Sequence, residues 1–313
     1  MLAERGQDPM LLVQACHALG PTLFWLGELA SAQVQLAQGI ARYDPQQHHA
    51  HLRYGGHDPG WCCQSYAAWT LWVRGYPDQA LHQEQEALRL AQELAHPFTL
   101  TWALAWVAWV HQFRREGPAT QAQAEAAMSI ASEHGFVQTL AQGKILRGWA
   151  LAAQGQGEAG IAQMREGLAV WEAMGDKLYR TYQLLQLAEV YSTVGQAEEG
   201  LRMLAEVRAD VPRGEGRFFD AELSRLEGEL LLARSAEHHA EAETCFRQAL
   251  DIARRQEAKS LELRAVISLA RQWRQQGKRA AAHQLLAEIY GWFTEGFDTG
   301  DLQEAKALLE ELA

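Results

Sequence analysis

The chain has 313 residues, of which 48% are hydrophobic and 21% charged. It can therefore bury a large core, and the chain does not read as disordered. Thirty-nine acidic residues against 28 basic ones give a net charge of −11, which argues against a general binder of nucleic acid or of anionic membrane. A length of this order suits two ordinary domains or one elongated repeat array. No run of uncharged apolar residues is long enough to span a bilayer. Met1 to Met10 include Glu4, Arg5 and Asp8 and hold no apolar signal core, so secretion is not expected. Four cysteines, two of them adjacent at Cys62 and Cys63, do not make a disulfide framework. The expected setting is cytoplasmic and reduced.

One unit recurs along the chain: an apolar helix, a short turn, and a second helix with a small residue at its fourth or fifth position. It reads LGELASAQVQL from Leu26, RGYPDQALHQE from Arg74 and, more loosely, REGPATQAQAE from Arg115. It continues as QGQGEAGIAQM from Gln154, VGQAEEGLRML from Val194, a loose ARSAEHHAEAETCF from Ala233, and QGKRAAAHQLL from Gln276. The small residues align as Ala32, Ala80, Ala122, Gly160, Gly200, Ala242 and Ala282. Two antiparallel helices approach closely only where a side chain is nearly missing. The turn Gly ends the first helix of each pair. Strand-like alternation is absent, and the good helix formers Ala, Leu, Glu, Gln and Arg dominate. The pattern predicts an all-α chain of seven helical hairpins at 11–45, 60–95, 98–134, 138–175, 178–212, 218–258 and 260–296. They stack into one right-handed superhelix, closed by a capping helix over 298–312 whose Asp301, Glu304, Glu310 and Glu311 suit a polar end. Three breaks interrupt the pattern: Tyr43 to Gly60, Val211 to Phe219 and Tyr290 to Asp301. The first is read as a connector or a binding loop and the third as an aromatic plug.

The unit resembles the tetratricopeptide repeat (TPR), best in the fifth hairpin at Leu184, Leu187, Ala188, Tyr191, Gly195, Gly200 and Pro212. The period is longer than the usual one of about 34 residues, which brings HEAT and armadillo repeats into view. The recurring turn Gly and small residue, with no Pro-kinked first helix, favour TPR. Four segments carry a narrower resemblance: YDPQQHHAHLRYGGHDPG, LAHPF (Leu94–Phe98), CFRQALDIARRQEAKSLELRAVISLAR and YGWFTEGFDTGDLQEAKALLEEL. They look like the C-terminal TPR region of bacterial proteins that join a class III adenylate/guanylate cyclase domain to an AAA-type ATPase. The resemblance implies a regulatory or partner-binding role, with a cyclase or ATPase module in cis or in trans. Cyclase and ATPase activity are not implied: Gly143 and Lys144 are followed by Ile145, so no phosphate-cradling loop is present. The chain is read as non-enzymatic and without a cofactor.

Three constellations could carry function. His48, His49, His51, His57, Asp58, Cys62 and Cys63 offer zinc-type ligands, but in no standard spacing, and adjacent cysteines rarely hold one ion, so no metal is assigned. Cys16, Cys62, Cys63 and Cys245 have no local base, so they read as small buried hydrophobes rather than nucleophiles. The concave groove is the leading candidate. Projecting one face of the first helices gives His17, Phe24 and Trp25, then Ser65, Trp69 and Trp72. Val107, His111, Arg114 and Arg115 follow, then Trp149, Tyr182 and Glu189, and finally Arg264, Arg271 and Arg274. Large aromatics and Arg are common interface anchors. Tyr54, His57 and Asp58 of the first break are placed near this groove. From Arg247 to Arg279 nine basic residues face three acidic ones, a strip suited to an acidic peptide. The expected partner is a protein or peptide. The alternative is a small ligand held in an aromatic pocket near the 43–60 loop, and self-association stays open.

Overall fold

The computed structural model describes residues 8–175, 177–210 and 217–313. Pro212 and most of the second break lie outside the described residues. The described chain is all helical, with no strand.

The first hairpin pairs α1 (Pro9–Trp25) with α2 (Leu29–Arg42), and α3 (His48–Gly55) follows it. The second pairs α4 (Pro59–Val73) with α5 (Pro77–Leu94), and the third α6 (Pro97–Phe113) with α7 (Gly117–His134). Next come α8 (Val137–Ala153) with α9 (Gly157–Met174), and α10 (Lys177–Thr193) with α11 (Ala197–Asp210). The sixth and seventh are α12 (Asp220–Arg234) with α13 (His239–Arg255), and α14 (Lys259–Gln275) with α15 (Arg279–Tyr290). The cap is α16 (Gly300–Leu312).

Local chemistry sets the helix starts. Proline occupies the first turn of α1, α4, α5 and α6, where its missing N–H costs nothing. Asp8 and Asp58 cap α1 and α4 by accepting from backbone N–H groups. Six of the seven hairpin turns use a left-handed residue, and Gly supplies it at 27, 75, 155, 195 and 277. Arg115 holds the same position in the third hairpin at φ 62°. The fourth residue of each second helix meets the partner helix. At Gly160 an added Cβ would come within 2.4 Å of the Gly148 carbonyl oxygen, so those two backbones touch. In the third hairpin this residue is the buried Thr120 rather than Ala122, which is exposed. Thr120 Oγ1 donates back to the Glu116 carbonyl at 2.9 Å, so a threonine fits where a small residue was expected.

The hairpins differ inside and out. In α5 only six of 18 residues are buried, the pattern of an amphipathic outer helix. In α4 thirteen of 15 are buried, and in α6 and α14 twelve of 17. A helix buried over most of its circumference is packed on nearly every side. The reason is that the array curls until its ends meet. Ser260 Oγ of α14 donates to the Trp72 carbonyl of α4 at 2.5 Å, and Arg264 Nη2 donates to the Phe113 carbonyl at 2.9 Å. Gly296 N donates to Asp78 at 2.9 Å, and Gly300 N to the Arg114 carbonyl at 3.2 Å. The first hairpin closes on the sixth through Phe218, whose N–H reaches the Trp25 carbonyl at 3.3 Å.

Candidate functional site

The interior of the superhelix is filled by its own side chains. Trp69 packs on Trp106 at 4.6 Å and on Trp109 at 4.5 Å, and Trp72 stacks on Phe113 at 4.5 Å. Trp109, Tyr182 and Phe218 extend the cluster toward Trp25. The expected groove residues Phe24, Trp25, Ser65, Trp69, Trp72, Val107, Arg114, Trp149, Tyr182 and Arg264 are therefore buried, and they do not line an open concave surface. Burying large aromatic area against itself favours the closed form.

An opening lies at the N-terminal side. A cavity of about 440 Å³ is walled by Trp61 and Tyr66 of α4, Phe98, Trp102 and Trp106 of α6, and Tyr179 of α10. His17, His57, Cys62 and Gln138 are its polar margin. Its floor is fixed: Tyr66 Oη accepts from Trp25 Nε1 at 2.9 Å and lies 3.0 Å from Tyr179 Oη. Trp61 and Trp106 sit 4.8 Å apart, and Tyr66 meets Trp106 edge-on at 4.9 Å. His17 Nε2 faces His57 Nε2 at 3.1 Å. Burial and the facing imidazole hold His17 down at about 4, so it is neutral near pH 7. The Cys62 thiol is pushed well up by burial, the wrong direction for a nucleophile.

The first break is held in place largely by Asp58. Asp58 caps α4 through the Trp61 N–H at 2.8 Å and also accepts from Tyr43 Oη at 2.6 Å. His48 Nδ1 lies 2.8 Å from the same carboxylate, and His51 Nδ1 lies 3.0 Å from Gln14 Nε2. The His/Cys-rich segment is thus split in several directions, and Cys63 turns toward Gly39. The side chains of His49 and Tyr54 lie outside the described residues.

The opposite end of the interior is ionic. A smaller cavity of about 150 Å³ is lined by Arg115, Glu189, Arg225, Glu229, Arg264 and Arg271, among others. Arg225 Nη2 donates to Glu222 at 2.6 Å, and Arg264 Nε to Asp301 at 2.7 Å. The Arg225 guanidinium holds the buried Glu222 carboxyl down at about 2, against the cost of its burial. Arg271 is exposed and pairs with Glu304 at 2.6 Å, and Arg274 pairs with Glu311. Half-buried His111 pairs with Glu116 at 2.5 Å. Arg115 reaches Asp301 at 2.6 Å and Glu189 at 3.7 Å. The basic strip is thus met by carboxylates, since Glu243 and Glu262 also take Arg247 and Lys259. It is not an uncompensated anion surface.

The sequence matches no protein-family model and no curated protein sequence. Solved structures do match. NprR in complex with its cognate peptide NprX aligns at a TM-score of 0.59 and 13% identity, over 92% of this chain and 81% of that one. Rap protein complexed with competence and sporulation factor aligns at 0.58 and 11%, over 98% and 78%. The apo form of RapI aligns at 0.57 and 13%, over 93% and 99%. The fold is TPR-like. In this TPR-like superhelix the aromatic pocket lies between the inner helices α4, α6 and α10. Of the residues lining this cavity, the helix projection names His17, the first break names His57, and Cys62 stands among the zinc-type ligands; Trp61, Tyr66, Phe98, Trp102 and Tyr179 are not among the candidate site residues of the sequence. The near-unbroken apolar runs of α4 and α6 were the signal that those helices are buried all round. Among the described residues no helix is long and apolar enough to cross a membrane.

Proposed function

We propose that this chain is a non-catalytic interaction module that takes a protein or peptide partner by seating a large apolar side chain of it in the aromatic pocket. The observation that carries the reading is the cavity of about 440 Å³ walled by aromatic rings of the inner helices. Rigid rings with a few polar groups at the rim make a good anchor site. Similarly folded proteins have been crystallised with competence and sporulation factor and with the peptide NprX, which supports a peptide as occupant. The resemblance to the region that follows cyclase and ATPase domains suggests the readout, a signalling enzyme in cis or in trans, within the cytoplasm. The contact residues then become His17, His57, Phe98 and Trp102 rather than Trp69 and Trp72.

The test is a peptide-display selection on the full chain. Enriched peptides should carry one large apolar residue. Phe98→Ala and His57→Ala should each weaken them by about tenfold, the cost of one contact of about 1.4 kcal/mol. Arg271→Ala, on the ionic side, should leave them unchanged. Binding that ignores Phe98 and His57 would sink the assignment. A second reading is a free small ligand, because the cavity lies within the usual range of about 300–1,000 Å³ for such sites. Native and denaturing mass of one preparation separates the two: a retained ligand appears as mass lost on denaturation.

A further inference from the structure

His17, His57 and Cys62 come from three separate elements. His17 is on α1, His57 lies in the link between α3 and α4, and Cys62 is in the first turn of α4. One ligand-type atom from each lies within 4.8 Å of the other two. The two Nε2 atoms, 3.1 Å apart, already stand near the spacing of neighbouring ligands on one ion. Zinc bonds of about 2.0–2.1 Å to nitrogen and 2.3 Å to sulfur place tetrahedral neighbours about 3.3–3.6 Å apart. All three residues line the aromatic pocket. We propose that His17, His57 and Cys62 form a three-ligand Zn²⁺ site whose fourth position faces the aromatic pocket.

Two imidazoles and one thiolate are a donor set that suits zinc rather than magnesium or calcium. Three protein ligands leave one position for water or for a donor atom of whatever fills the pocket. The approach is prepared by the fold. The left-handed Gly56 and the Asp58 cap bracket His57, and the Trp61 ring stands edge-on to it at 5.9 Å. Cys63 cannot substitute for Cys62, because its sulfur lies against Gly39. The proposal rests on these three side chains alone, so it is independent of which partner or ligand enters the pocket. The competing account is one imidazole–imidazole hydrogen bond with no ion.

The experiment uses the full chain stripped with chelator and titrated with Zn²⁺ alone. One equivalent should bind, and the melting temperature should rise with it. His17→Gln and Cys62→Ser should each weaken binding by about 100-fold or more, since even outer partners of a metal site are worth about 10–100-fold. Cys63→Ser should bind as the parent does. Co²⁺ in place of zinc should give a thiolate-to-metal absorption band that Cys62→Ser abolishes. His57→Gln alters a link residue rather than the core, so it keeps the test open if Cys62→Ser does not fold. No stoichiometric binding, a cobalt spectrum without thiolate, or equal affinity in Cys62→Ser, His17→Gln and His57→Gln would each overturn the site.

Discussion

The two ends of the interior are closed by different chemistry. At the N-terminal side, rings of Trp61, Tyr66, Trp69, Trp102 and Trp106 meet and leave a cavity of about 440 Å³. At the other end, Glu222, Arg225, Arg264 and Asp301 pair off and leave only about 150 Å³. Rings are rigid and of fixed outline, so curving helices cannot always fill the space between them. Long charged side chains can adjust until each carboxylate has its guanidinium, and they must, because an unpaired buried charge is costly. The apolar end therefore keeps an opening that can receive something, while the ionic end acts as a latch between the last hairpin, the cap and the third hairpin.

The comparison can be broken most sharply at Trp69, which is fully buried at the contact of the second and third hairpins. Trp69→Ala should cost about 3–5 kcal/mol of unfolding free energy, read as the urea midpoint. That cost should be the same at low and high salt. An open groove would predict a loss near zero, so a small effect would return Trp69 to the surface.

The next largest effect is in pH, and the two ends should answer oppositely. Glu84 of α5 is fully buried, accepts from Ser65 Oγ at 2.8 Å, and is pushed up by burial to about 8. The unfolded chain ionises this group from its ordinary 4.5, while the folded chain keeps the proton. Stability from this group is therefore full below 4.5 and falls as pH rises toward about 8. Glu222 is held at about 2, so its contribution is present above 4.5 and is lost as pH falls toward 2. Glu84→Gln keeps the hydrogen bond to Ser65 without a charge to bury. It should raise stability at pH 7 by on the order of 3 kcal/mol and flatten the alkaline fall, leaving the acid fall in place. Denaturant midpoints from pH 3 to pH 9 decide it, and an unchanged alkaline limb would show that Glu84 is not the group responsible.

Much of the architecture was legible because helical hairpins leave repeated marks in the chain. The turn glycines at 27, 75, 155, 195 and 277 all adopt the left-handed conformation that the pattern implied. The third hairpin was misaligned because Thr120 does not look small, and only its hydroxyl turned onto its own helix shows why it fits. The segment Tyr43 to Gly60 read as a loop because Pro and Gly crowd it. Pro45 instead starts a short 3₁₀ turn capped by Asp44, and α3 follows. The interior was least legible. A face projected from one helix assumes that the other side of the groove is water, and ring closure replaces that water with α14 and the 290s segment. The pairing of His17 with His57 spans 40 residues, beyond any local pattern.

The smallest effect is the most discriminating for the ionic end. Arg115 sits at φ 62°, where five other hairpins carry Gly. A left-handed residue with a Cβ costs about 1–2 kcal/mol, so Arg115→Gly should recover that amount. It also removes the bond to Asp301, which joins a side chain about one-third exposed to one that is 10% exposed. Such a partly solvated pair is worth about 1 kcal/mol, and Asp301 keeps Arg264 as a partner. The two terms oppose, so the midpoint at moderate salt should move by less than about 1 kcal/mol. The salt dependence should still change: the parent loses part of the latch as ions screen it, and the glycine variant has that part already removed. Parallel unfolding curves at low and high salt distinguish this balance from a residue with no role. If both proteins respond to salt identically, Arg115 does not belong to the latch, and its backbone strain has no compensation in the ionic end.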